Sequence, residues 1–263
     1  MPRLWKVAVA VLALVAGATV FARHGPFLPF LEPSQPHAEG HDDLVIRIDV
    51  SAGMGSAESF FSQPPDLVVT GDGTAYAPAE EMPGDGIVTP VVTRHLGEAR
   101  LGSLLKRAHH DGLLRDHPTY DVPSGVSDGS TTEVLLVTRR GRWTHSAYAL
   151  DSGGWGFSER DRLAAFVSRA LETGRDAPAT VDHSPAALRV MTTTGVLPDS
   201  SVAVASWPRD ASVTPAAIGD CLVVHDPAVI RTLTTRPERY YRQGSKTYSV
   251  AAAVSLPGDA CSD

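Results

Sequence analysis

Charge is scarce in this chain of 263 residues: Asp, Glu, Lys and Arg together make up 20% of it, below the quarter common in soluble domains. What charge there is leans acidic, at a formal −7, and no basic stripe is visible. Nucleic-acid binding at ordinary salt rests on Lys and Arg neutralising phosphates, so the composition argues against that partner. Cysteine is nearly absent. Cys221 and Cys261 stand alone, without the ligand spacing of a zinc site. There is no Gly-x-Gly-x-x-Gly, no Gly-x-x-x-x-Gly-Lys-Ser/Thr, no Gly-x-Ser-x-Gly, no Cys-x-x-Cys and no EF-hand loop. The common dinucleotide, nucleotide, serine-hydrolase, redox and calcium signatures are thereby missing, and no cofactor is implied. Nor is there a long apolar run at the N-terminus, where the stretch over 7–21 stops after 15 residues.

That stretch would span about 22 Å as a helix, short of the roughly 30 Å of a bilayer core. It follows Arg3 and Lys6 and leads to Val20-Phe21-Ala22, with small residues at the −3 and −1 positions of a cleavage point. Residues 1–22 therefore read as a signal peptide, with an uncleaved anchor as the rival. The expected location is extracytoplasmic, secreted or in the cell envelope, with anchoring only through residues 7–22. In such oxidising surroundings the isolated pair Cys221 and Cys261 reads as a disulfide. It would close a loop of about 40 residues and remove roughly 4 kcal/mol of unfolded-state freedom.

What the chain does have is proline and glycine, 20 and 23 of them, which favour short strands and turns. Residues 23–43 hold four prolines and no periodicity, the pattern of an extended, flexible tether. Residues 44–50 then alternate, with Leu44, Ile46, Ile48 and Val50 on one face and Val45, Arg47 and Asp49 on the other. Strands are expected over 66–70 and 74–77, joined through Gly71-Asp72-Gly73, and over 88–93. Leu101, Leu104, Leu105 and Ala108 form a helical stripe closed by Gly112. A hairpin over 131–150 follows. A second helix, capped by Ser158, buries Leu163, Phe166, Val167, Ala170 and Leu171.

The expected class is α+β, with antiparallel hairpins packed against amphipathic helices as two small units in tandem. The units are an α+β domain over 44–173 and, after a linker over 174–185, a smaller one over 186–263. In the smaller unit strands are expected over 187–192, 202–207, 218–224 and 247–254, with a helix starting at Asp226-Pro227. It holds both cysteines, and a domain of roughly 78 residues has a marginal core that a crosslink would help.

Candidate chemistry thins out on inspection. Asp151-Ser152-Gly153-Gly154 looks like the nucleophile segment of chymotrypsin-type proteases, but no histidine lies in that family's context and the stretch runs into a helix. His109, His110, Asp111, Asp116 and His117 are dense in metal ligands, yet adjacent helical residues point about 100° apart, and the residues serve a helix C-terminus equally well. His24, His37 and His41 read as solvated tether. Asp72 and Asp85, each between glycines, read as turn residues rather than calcium ligands. Trp143, Tyr148, Trp155 and Trp207 suit a core edge as well as a ligand surface. No metal site is called.

Several short segments together resemble a widespread, uncharacterised group of exported actinobacterial proteins. They are Gly71-Asp72-Gly73, the helix ending in Asp111-Gly112-Leu113-Leu114, Tyr120, Asp128 with Thr131-Thr132, and His145 with Ala147-Tyr148-Ala149-Leu150. The strand through Tyr248-Ser249-Val250, Leu256-Pro257 and the final Cys261 are similar to the same group, so the resemblance covers 44–261. This chain has Gly129-Ser130 where a small residue and proline are usual there. The group carries no assigned activity, so the resemblance implies export and hands over no catalytic residues. The reading that remains is a non-catalytic module binding an envelope or extracellular protein. Its rival is an exported hydrolase with a site assembled from Asp128, His145 and Tyr148.

Overall fold

The computed structural model describes residues 35–80, 86–115, 120–122, 125–150, 158–183, 185–195, 197 and 201–261. Two sheets and five helices organise them. The first sheet has seven strands in the order β6-β5-β1-β2-β3-β4-β7, all pairs antiparallel. They are β1 (Leu44–Ser51), β2 (Leu67–Thr70), β3 (Thr74–Pro78), β4 (Val91–His95), β5 (Thr131–Thr138), β6 (Gly141–Tyr148) and β7 (Ala179–His183). The second has five, in the order β10-β8-β12-β11-β9: β8 (Leu188–Thr194), β9 (Val204–Ser206), β10 (Leu222–Val224), β11 (Tyr240–Gln243) and β12 (Lys246–Val254). Only its β9–β11 pair is parallel. The helices are α1 (Ala57–Ser62), α2 (Glu98–His110), α3 (Glu159–Arg175), α4 (Pro215–Ile218) and α5 (Pro227–Thr235). The fold is α+β.

The two long helices form where the apolar stripes predict them. Helix α2 buries Leu101, Leu104, Leu105 and Ala108 and stops before Gly112 at a φ of 76°, a conformation glycine adopts without penalty. Ser158 caps α3 in a full capping box with Asp161. Leu163, Phe166, Val167 and Ala170 of α3 join the α2 stripe against Ile46, Ile48, Val69, Val134, Leu136 and Ala147 of the first sheet. The sheet's other face carries Val68, Tyr76 and Val91 into a second core with Leu188, Val190, Val250, Ala252 and Val254 of the second sheet. The first sheet is thus apolar on both faces, with a helical layer on one side and the second sheet on the other.

Four sequence expectations come out differently. The alternation of β1 breaks at its start: a register shift between Leu44 and Ile46 puts Val45 in the helix-side core and Leu44 on the opposite side, against the second core. A bulge adds one residue to the strand and flips the faces before it. Residues 174–185, expected as linker, hold the end of α3 and the edge strand β7. Gly174 is buried inside α3, where a Cβ would meet Leu67 Cδ1 at 2.8 Å. Short helix α1 and strand β11 appear where no element was expected, and the strand expected over 218–224 gives way to the end of helix α4 and the shorter β10. Finally, residues 35–43 of the expected tether lie along the fold. Gln35 and His37 are buried, Arg139 N donates to Pro36 O at 2.9 Å and Gly71 N donates to Asp43 O at 2.8 Å.

Cys221 and Cys261 are joined in a disulfide, with 5.3 Å between their Cα atoms. It ties the C-terminal turn to the residue before β10. In that turn sits Asp259, whose side chain is only 1% exposed. Arg47 of β1 donates to its Oδ1 at 2.5 Å, Leu256 N donates to its Oδ2 at 2.9 Å, and Arg189 Nε of β8 lies 3.2 Å from Oδ2. Burial opposes the Arg47 charge, but hydrogen bonds to Asp49 and Asp259 outweigh it and leave its pKa raised. The guanidinium of Arg189 lies 5.5 Å from the ring centre of Phe61 in α1, a cation–π distance. One carboxylate therefore pairs with a strand of each sheet.

Candidate functional site

The three residues singled out in sequence do not form one constellation. His145 and Tyr148 lie three apart on β6, and alternation along a strand sends such positions to opposite faces. His145 faces the helix-side core at 0% exposure. Its Nε2 lies 2.8 Å from Leu113 O and its Nδ1 2.8 Å from Tyr120 Oη. A carbonyl only accepts, so Nε2 carries the proton and Tyr120 donates to Nδ1. Burial, with the Glu159 charge nearby, pushes the Tyr120 hydroxyl up to about 12, which keeps it a donor. His145 is occupied in holding the loop after α2 to β6. Replacing it with alanine is expected to cost about 3 kcal/mol. Urea unfolding would read the loss, and an unchanged midpoint would refute this structural role.

Tyr148 and the Asp128 turn are brought together. Gly129 N donates to Tyr148 Oη at 2.8 Å. Asp128 is exposed and has a φ of 59°, and Ala149, just past Tyr148, has a φ of 50°. Arg160 of α3 secures this corner, donating to Asp121 O at 3.0 Å and to Tyr148 O at 2.6 Å, and also to Ala149 O. Its bonds all end on backbone carbonyls, and the corner is a folded connection. Asp151-Ser152-Gly153-Gly154, Asp85, Trp155, Asp116, His117 and His24 lie outside the described residues.

Three carboxylates are electrostatically perturbed, among them Asp226 at the α5 cap, lowered to about 2 chiefly by the Ser212 hydroxyl. Asp72, in the β2–β3 turn, resists burial through hydrogen bonds from Thr70, His41 and Thr74, and its pKa falls well below the usual carboxylate range. His41 bridges from it to Tyr76, with Nδ1 3.0 Å from Asp72 Oδ2 and Nε2 3.0 Å from Tyr76 Oη. The acid–imidazole–hydroxyl line resembles a relay, but Tyr76 is 3% exposed and sits in the second core. Its chemistry is to pin residues 35–43 to the turn. Asp66 goes the other way: burial, and the nearby Asp49 charge, raise its pKa against a hydrogen bond from Val50 N.

Folding raises the Asp66 pKa, so its charged form is the destabilised one. Ionisation disfavours the fold, so the deficit is absent in acid and sets in as pH rises through the carboxylate range. An Asn keeps an acceptor for Val50 N without the charge. Asp66→Asn is therefore expected to raise the thermal midpoint near pH 7 and to leave it unchanged near pH 3. Equal shifts at both values would remove the electrostatic explanation. Asp66 lines an open cleft of about 520 Å³ with Ser59, Gln63 and Arg239. Gln63 and Asp66 both serve the backbone of Val50, at 2.9 and 2.8 Å, which completes the end of β1.

A different concavity has polar groups to spare. An open groove of about 530 Å³ runs between α2 and α3, lined by Arg100, Ser103, Leu104, Arg107, Arg169, Thr173 and Asp176. Helical spacing explains the lining: 100, 103 and 107 share one face of α2, and 169 and 173 one face of α3, with Asp176 as its C-cap. Arg107 Nε donates to the buried Asp111 carboxylate at 2.6 Å, one of five N–H groups on that side chain. Among the described residues Arg100 and Arg169 have no acidic side chain in ion-pair range. The sequence shows these arginines as solvated helix faces. Only packing makes them converge.

Among the described residues no three His, Cys, Asp or Glu side chains group as a metal site, and no helix is long and apolar enough to cross a membrane. No known family, curated protein or solved structure matches the chain.

Proposed function

We propose that this protein is an exported, non-catalytic binding module of the cell envelope or extracellular space. The observation that carries the reading is the state of His145. The best candidate for a general base is fully buried with both ring nitrogens engaged, whereas a catalytic base must reach a substrate proton. The disulfide supports an oxidising compartment, and the basic apolar leader over 1–22 supports the route there. The binding surface is the first sheet's helical layer, where the groove between α2 and α3 presents Arg100 and Arg169, which make no ion pair among the described residues.

A reporter fused after Asp43 tests the location, and it should be active outside the cytosol. Cross-linking in intact cells, followed by purification of the full chain, tests the binding role. One envelope or extracellular component should be enriched over a denatured control. Turnover of a peptide, ester or glycoside panel that His145→Ala abolishes would instead establish the hydrolase.

A further inference from the structure

We infer that the groove between α2 and α3 is a phosphate-binding site, taking a phosphate group carried on a hydroxylated, sugar-like scaffold. The inference rests on the binding-module reading and names the ligand chemistry of its surface. Three guanidinium side chains line one concavity in a chain whose formal net charge is −7. The fold uses Arg107 to pair the buried Asp111, but it does not require the other two there, since Arg100 and Arg169 are exposed and make no ion pair among the described residues. With Arg107 compensated by Asp111, Arg100 and Arg169 remain as like charges without an ion-pair partner among the described residues, and an anion relieves their repulsion.

The chemistry of the donors selects the anion. A guanidinium offers paired N–H groups that match two oxygens of a phosphate. One carboxylate is satisfied by a single arginine, whereas a phosphate has oxygens enough for three. Ser103 adds a hydroxyl donor, while the Thr173 hydroxyl is already committed to Arg169 O at 2.7 Å. Asp176 is the one acid in the lining. It opposes a bare polyanion but accepts hydrogen bonds from hydroxyl groups, which is why the carrier is assigned as hydroxylated. Leu104 is 3% exposed and gives the floor an apolar contact for a sugar face.

The test is calorimetric titration of the full chain with glucose 6-phosphate, inorganic phosphate and glucose. Glucose 6-phosphate should bind saturably with a Kd below about 1 mM, phosphate more weakly, and glucose not measurably. The Arg100→Ala/Arg169→Ala double variant should lose about tenfold or more in affinity. Alanine suits exposed helical positions, and unchanged circular dichroism would verify the fold. Asp176→Asn should narrow the preference for glucose 6-phosphate over phosphate. Arg140→Ala/Arg142→Ala, in the β5–β6 hairpin, serves as the control for diffuse charge. Absence of saturable binding, equal losses in groove and control variants, or an unaffected double variant would overturn the site. If the double variant still enriches the same cross-linked component, the binding module stands and only this site falls. If the wild type enriches nothing, the module itself falls.

Discussion

Asp259→Ala is expected to lower the stability of the protein by about 3–5 kcal/mol, enough to move a chemical unfolding midpoint far from the wild-type value. The carboxylate is buried and receives Arg47 from β1, Arg189 from β8 and the amide of Leu256. The two arginine side chains are only 17% and 16% exposed. Without the acid, positive charge from both sheets stays out of water, with Asp49 the one remaining ion-pair partner among the described residues. An uncompensated buried charge costs far more than a surface pair contributes. Combining Asp259→Ala with Arg47→Ala should therefore cost less than the sum of the two, by more than about 1 kcal/mol. Strict additivity would mean the network is decorative.

The second large effect concerns the crosslink. Replacing both cysteines with serine should cost about 4 kcal/mol, because the separation of 40 residues sets the freedom returned to the unfolded chain. The same magnitude should appear on reduction of the wild type. The bridge also fixes the turn that presents Asp259, two residues before Cys261. Removal of the disulfide and Asp259→Ala should then be less than additive, since each loosens what the other needs. A loss under about 1 kcal/mol for the serine pair would show that the turn holds by its own contacts.

How much of this was legible in the sequence depends on the range of the interaction. Helices α2 and α3 were readable because their stripes and caps are local: Leu101 to Ala108, and Ser158 with Asp161. The disulfide was readable because only two cysteines exist. Strand β7 was not, because edge strands carry polar residues and the stretch around Asp182 and His183 resembles loop. The face of Leu44 was misread because a bulge leaves no mark in an apolar run. The pairing of Arg47 with Asp259 spans most of the chain, and no local pattern anticipates it. Among the candidate site residues, His145 entered through the resemblance and the rival hydrolase reading, and only packing shows that its nitrogens are engaged. The arginines of the groove were hidden for a related reason. Each helix shows an ordinary charged face, and convergence arises from placing two such faces side by side.

Residues 35–43 bear on where this fold effectively begins. Their carbonyls at Pro36, His37 and Asp43 receive Arg139 and Gly71, and the backbone of Ala38 approaches Gly71 so closely that a Cβ there would lie 2.1 Å from its oxygen. They act as a clasp across the turns at one end of the first sheet. Proteolytic trimming as far as Leu44 would strip those turns of their acceptors and uncover the Tyr76 hydroxyl, so a protease-resistant core should retain residues 35–43.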